Sequence, residues 1–163
     1  LGEGYEPEMF YAVEPSIQLY IAEKSEALRE LYVSSYSYAA TANYIHQMAT
    51  DKLVELFGAM HPQYTRQDFY ELELASSGMV RSFMARKCDR NFTMEQKLRR
   101  FLSCSMTIYG VTEEKQQQVI DRVLEMDLKS VADQLVADAI HQADEQYQET
   151  ERKGKAIEAA RNG

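Results

Sequence analysis

The residues able to do chemistry are few and scattered. Asp138, His141 and Glu145 recur at one-turn spacing, the pattern by which one helix can turn carboxylates and an imidazole toward a metal ion in a bundle core. They lie away from Leu135 and Val136, on a face where charges are solvated, so a metal site is not expected there. His46 stands one residue off the apolar stripe of its helix, which suits a pocket lining or a hydrogen-bonded boundary position. His61 precedes Pro62 and reads as an exposed loop residue. There is no GxSxG elbow, HExxH pair or phosphate-binding loop. Nothing in the chain asks for an enzyme, a cofactor or a metal.

The aromatic inventory points toward binding instead. Eleven Tyr, six Phe and eight Met with no Trp make an adaptable lining. Tyr20, Tyr32, Tyr36, Tyr44, Met48, Phe69, Met79 and Phe83 come from several helical segments and could enclose a small molecule. Asn43 and Glu73 are candidate polar members, since pockets are mostly apolar with a few placed polar groups. The competing reading is that these side chains are ordinary core packing.

The bulk properties bound both readings. A chain of 163 residues with 45% apolar and 27% charged side chains suits one helical domain with a real core. The domain is expected over residues 1–145, with a polar tail at 146–163. No window holds the run of about 18 apolar residues that crosses a membrane, and no secretory signal opens the chain. The net charge of −8 argues against a broad phosphate-gripping face. One stretch departs from that average: Arg81, Arg86, Lys87, Arg90, Lys97, Arg99 and Arg100 oppose only Asp89 and Glu95, which reads as a solvated helix end and helix start. Cys88 and Cys104 form neither a zinc pattern nor a disulfide framework and fit a reducing cytoplasm, with Cys104 read as a small core residue.

Seven helical segments must position these groups, at about 7–23, 26–35, 40–57, 65–87, 93–109, 112–125 and 127–147. Ser25, Thr65 with Asp68, Thr93 with Gln96, and Thr112 are capping signals, and Gly58 and Gly110 stand at helix ends. The last segment carries Leu128, Val131, Leu135, Val136, Ala139, Ile140 and Ala143, read as inward. No period-two alternation appears, so the fold class is all-α. The fourth segment is apolar on two sides, through Phe69, Leu72, Ser76, Met79, Val80 and Phe83 and through Tyr70, Leu74, Ser77, Gly78 and Ala85. A surface helix needs only one stripe. Ala75, Ser76, Ser77 and Gly78 cost helix propensity, which suggests a close helix crossing within the subunit or across a two-fold axis.

The wording of several stretches is similar to the C-terminal regulatory domain of the tetracycline-repressor (TetR) family. The resembling stretches are Gln18 to Lys24, Leu28 to Tyr32, Ser35 to Tyr38, Asp68 to Gly78 and Phe92 to Leu102. The resemblance implies a helical bundle of about seven helices with a small-molecule effector pocket among the earlier ones. It implies a cytoplasmic homodimer formed by two late helices, here residues 65–87 and 94–109, with Tyr70, Leu74, Ser77, Gly78, Arg81, Phe101, Ser105 and Ile108 as interface candidates. It also implies a repressor that reaches DNA through an N-terminal helix-turn-helix, whereas only about eight acidic-leaning residues precede the first long helix. The chain is then a fragment lacking its DNA reader or a relative that never had one. A stand-alone helical interaction module without a small-molecule site is the alternative.

Overall fold

The computed structural model describes residues 6–161, with side chains to residue 153; the opening residues 1–5 and the last part of the expected tail lie outside these. Seven helices follow in order: α1 (Pro7–Lys24), α2 (Glu26–Ser35), α3 (Ala39–Phe57), α4 (Arg66–Ala85), α5 (Met94–Ile108), α6 (Glu113–Glu125) and α7 (Leu128–Arg161). No strand occurs among the described residues. The helix starts are chemically marked. Ser25 Oγ accepts from Leu28 N at 3.1 Å, and Thr112 Oγ1 accepts from Lys115 N. Thr65 with Asp68 and Thr93 with Gln96 form reciprocal capping boxes, each satisfying two N–H groups that a helix start leaves orphaned.

Helix α1 is the centre of the bundle: each of the other six helices packs on it. That is why its apolar residues do not keep to one stripe. Ala12, Leu19, Ile21 and Ala22 are buried, and Met9, Val13, Ile17 and Tyr20 pack partly against the core. Pro15 sits within a helix that continues to Lys24. Around α1 the core gathers Leu53 and Phe57, Phe69, Val80 and Met84, Leu98, Phe101, Leu102 and Met106, and Val119 and Val123. Phe57 stacks on Tyr109 with ring centroids 5.0 Å apart, and Tyr11 meets both edge-on.

A buried charge ties three parts of the chain to the far end of α1. Lys97 is 0% exposed. Its Nζ donates to Glu23 Oε1 at 2.5 Å and to the Arg86 carbonyl beyond the end of α4. Both Glu23 oxygens also accept from Cys88 N at 3.2 Å. Burial pushes the Glu23 carboxyl up, but the bonds from Lys97 and the Cys88 backbone outweigh it and hold its pKa below the ordinary value.

Several expectations change. Cys104 is exposed, one position off the buried face of α5. Phe101 and Ser105 point into the chain's own core, so α5 does not offer them to a second copy. Gly58 caps α3 with a right-handed φ of −58°; the left-handed glycine is Gly110 at φ 70°, where the His61 ring stands 3.0 Å from where a Cβ would sit. His61 is therefore no free loop residue: its Nε2 donates to the Tyr109 carbonyl at 2.7 Å and its ring stacks on Tyr64. Helix α7 does not end near residue 147 but continues to Arg161. Among the described residues only its root is inward, through Leu128 and Ala132, while Leu135 is 47% and Ile140 59% exposed.

In the small-residue block of α4, Ser76 and Ser77 face the core, but Gly78 is exposed and a Cβ added there meets nothing within 4 Å. Within the chain no close crossing requires this glycine.

Two outcomes follow from these environments. Lys97→Ala leaves the mostly buried Glu23 with only the Cys88 N–H and Arg29, 3.9 Å away, and should cost about 3 kcal/mol in urea denaturation; a loss below about 1 kcal/mol would show that the pair does not anchor α1. Gly78→Ala should stabilise the isolated chain by about 0.5–1 kcal/mol, the helix-propensity gain at an unobstructed position, and a destabilisation would reveal a close neighbour at this point.

Candidate functional site

An open groove of about 760 Å³ runs along α1. Its floor is Met9, Val13, Ile17 and Ile21, successive turns of one α1 face, with Phe10 at its side. Tyr32 of α2 and Lys52 of α3 form one wall, and Arg122, Met126 and Leu135 from the α6–α7 corner form the other. The volume falls in the range of about 300–1,000 Å³ typical of small-molecule sites, and an apolar lining with a few polar groups is their usual chemistry. Charge sits at the edges. Lys52 pairs with Glu14, and Glu6 takes both Arg122 and Lys115, so that its carboxyl is held below the usual range by those two hydrogen bonds.

Beside the groove lies a buried polar line. Tyr36 follows Tyr32 by one helical turn, and burial pushes its hydroxyl up to about 12, with Glu73 on one side and the groove residue Glu14 on the other adding to the shift. The Tyr36 ring lies 6.3 Å from the ring of His46, which meets Tyr70 edge-on at 6.4 Å. His46 donates through Nδ1 to Glu73 Oε2 at 2.6 Å. Glu73 is only 3% exposed. Burial raises its carboxyl, a shift partly offset by the charge and hydrogen bond of His46 and by a hydrogen bond with Ser77. One turn on, Ser76 Oγ and the Tyr109 hydroxyl share a 2.7 Å hydrogen bond. Ser105, Ser76 and Tyr109 lie within hydrogen-bonding reach of the Tyr11 hydroxyl, whose pKa burial raises to about 12. Hydroxyls, an imidazole and one carboxylate thus run from the groove wall to the core. The arrangement can orient a polar group and register its charge.

The structure separates the residues expected to enclose a pocket. Tyr32 lines the groove, and Tyr36 and Glu73 meet in the polar line. Asn43, Tyr44 and Met48 lie exposed on the outer face of α3, with Tyr44 at 66% and Met48 at 56%. Phe69 is a core residue beside His61 and Tyr64. Met79 and Phe83 pack against the core, Phe83 contacting Phe92 and Phe101. Tyr20 is half-buried away from the groove, near Asp127, Cys88 and Lys129.

Of the interface candidates, Tyr70 is half-buried against His46, Ser77 is buried, and Ile108 packs partly against the core. Leu74, Gly78 and Arg81 remain open, Arg81 donating to Ser37 Oγ. Asp138, His141 and Glu145 face solvent on α7.

The groove floor escaped the sequence reading because Met9, Val13 and Ile17 look like any buried helix stripe. The His46–Glu73 contact depends on the α3–α4 register, for which no local signal exists. Against known proteins, no family model matches the chain, and neither a curated protein nor a solved structure matches it.

The raised Glu73 carboxyl gives a signed pH dependence. Its contribution to stability is fully present below the unfolded-state value and is lost as pH rises through the higher folded-state value. Glu73→Gln removes that titration. The stability of wild type relative to this variant should therefore fall as pH rises above the ordinary carboxyl value of 4.5 in paired urea melts; a relative stability that rises with pH would reverse the assignment.

Proposed function

We propose that this chain is a ligand-sensing and self-associating regulatory domain, without catalysis of its own, related in role to the C-terminal domains of TetR-like transcriptional repressors. The observation that carries this reading is the groove on α1: apolar, within the size range of small-molecule sites, and next to a line of polar groups that includes the His46–Glu73 pair. The wording shared with those repressors supports the same role, as does the all-α bundle. Contact with DNA would fall to a helix-turn-helix outside these residues. Among the described residues no helix is long and apolar enough to cross a membrane.

The groove suits an elongated, largely apolar effector with one polar end, its body on Met9, Val13 and Ile17 and its polar group toward Tyr32 or Lys52. Such a molecule would touch α1, α2, α3 and the α6–α7 corner together. Because every helix leans on α1, a ligand that fits one packing of α7 against α1 better than another would shift their balance, by no more than its difference in affinity for the two.

The alternative, an interaction module with no small-molecule site, has its own support in the apolar residues that α7 leaves exposed. Binding separates the two. At about 100 times its Kd a groove ligand contributes about 2.7 kcal/mol, which for a domain of this size raises Tm by about 5–10 °C. A panel of apolar and amphipathic compounds should contain members that do this for wild type and not for Ile17→Arg. If no compound distinguishes the two proteins, the sensing role falls and the module remains.

A further inference from the structure

We propose that the projecting part of α7 is a docking arm for a second copy of this chain, seated along the partner's basic turn between α4 and α5. The inference rests on the self-association in the reading above and names the surface that carries it.

The arm is an unbroken helix whose root packs on α1 through Leu128 and Ala132. Every residue described from Ala137 onward is exposed. From Ala132 one stripe continues outward at helical spacing as Val136, Ile140, Ala143 and Tyr147, with Ile140 59% and Tyr147 73% exposed. An isolated helix is marginal in water unless it packs on something, and these side chains mark the face that would do so. From Val136 to Lys153 the arm is about 27 Å long at ~1.5 Å per residue. One face about 10 Å wide is roughly 270 Å². Two arms, each covering an equal area of the other copy, bury about 1,100 Å² in all, which clears the ~1,000 Å² that a specific interface needs.

Charge decides what that face meets. Asp144 and Glu151 flank that stripe, while Arg152 and Lys153 lie off it. Such an arm laid on its twin would set like charges together. The opposite sign gathers at the α4–α5 turn and the start of α5, where Lys87, Arg90 and Arg100 are exposed and take part in no ion pair among the described residues. The geometry brings arm root and turn to one place. Lys24 at the end of α1 pairs with Asp133 on the root, while its neighbour Glu23 holds Cys88 of the turn. From Ala137 outward every described residue of the arm is exposed, so it does not lie on its own turn. A two-fold axis beside this end of α1 lays each arm along the other copy's turn, an isologous contact that closes as a dimer.

Sedimentation equilibrium of the full chain tests this. Wild type should be a dimer at micromolar concentration, with Kd rising at least fivefold between about 0.1 M and 0.5 M NaCl. Arg90→Glu with Arg100→Glu should weaken the dimer at least tenfold, as should Ile140→Asp. Adding Asp144→Arg and Glu151→Arg to the first pair should restore it to within about threefold, an outcome that misfolding would not produce. A dimer indifferent to the arm and turn changes but broken by Leu74→Glu would overturn the arm docking and leave self-association standing on α4. A wild-type chain that stays monomeric to about 100 µM would overturn both.

Discussion

An ammonium group with no access to water cannot exist alone, and Lys97 is such a group. It is tolerated because Glu23 and the Arg86 carbonyl surround it, and Glu23 in turn accepts from the Cys88 backbone and lies 3.9 Å from Arg29. Each partner belongs to a different part of the chain: α1, the end of α4, the turn after it, and α5. The charge can be satisfied only when all four are in place. Hydrophobic contacts are indifferent to small shifts of register, but this cluster is not, and it determines where α1 ends relative to α4 and α5.

With its end held there, α1 can serve as the shared wall of the bundle. One side contributes Ala12, Leu19 and Ala22 to the core. Another presents Met9, Val13 and Ile17 to the groove. Tyr11 reaches inward to Tyr109 and Ser76, one turn from Glu73. The groove and the polar line are therefore two faces of the same helix and its neighbours, not separate features. A change of packing at one is felt at the other through side chains that already touch.

Much of the architecture was legible in the sequence because helix ends are local chemistry. Thr65 with Asp68, Thr93 with Gln96, Ser25 and Thr112 announce their helices and do cap them. Periodicity also shows which side of a helix is apolar, but not what covers it. That is why Leu135 and Ile140, read as core, stand in solvent, why Phe101 and Ser105, read as interface, are interior, and why Cys104 was misplaced by one position of rotation. The site was less legible still. His46 and Glu73 were each visible as odd polar residues near apolar stripes, yet their pairing arises only when α3 docks on α4. The pocket anticipated from scattered aromatics dissolved for the same reason: Tyr44 and Met48 share a helix with Leu53 and Phe57 but not a face.

The unbroken course of α7 has a mechanical consequence. Its root is gripped by α1 over little more than one turn, and about 30 Å of rigid rod extend from Ala132 to Lys153. A tilt of about 10° at that grip sweeps the far tip through about 5 Å, so a subtle rearrangement beneath the root is amplified at a distance, as when small shifts at a packed contact drive larger displacements of rigid elements. The helix is a lever whose fulcrum is the wall it shares with the groove.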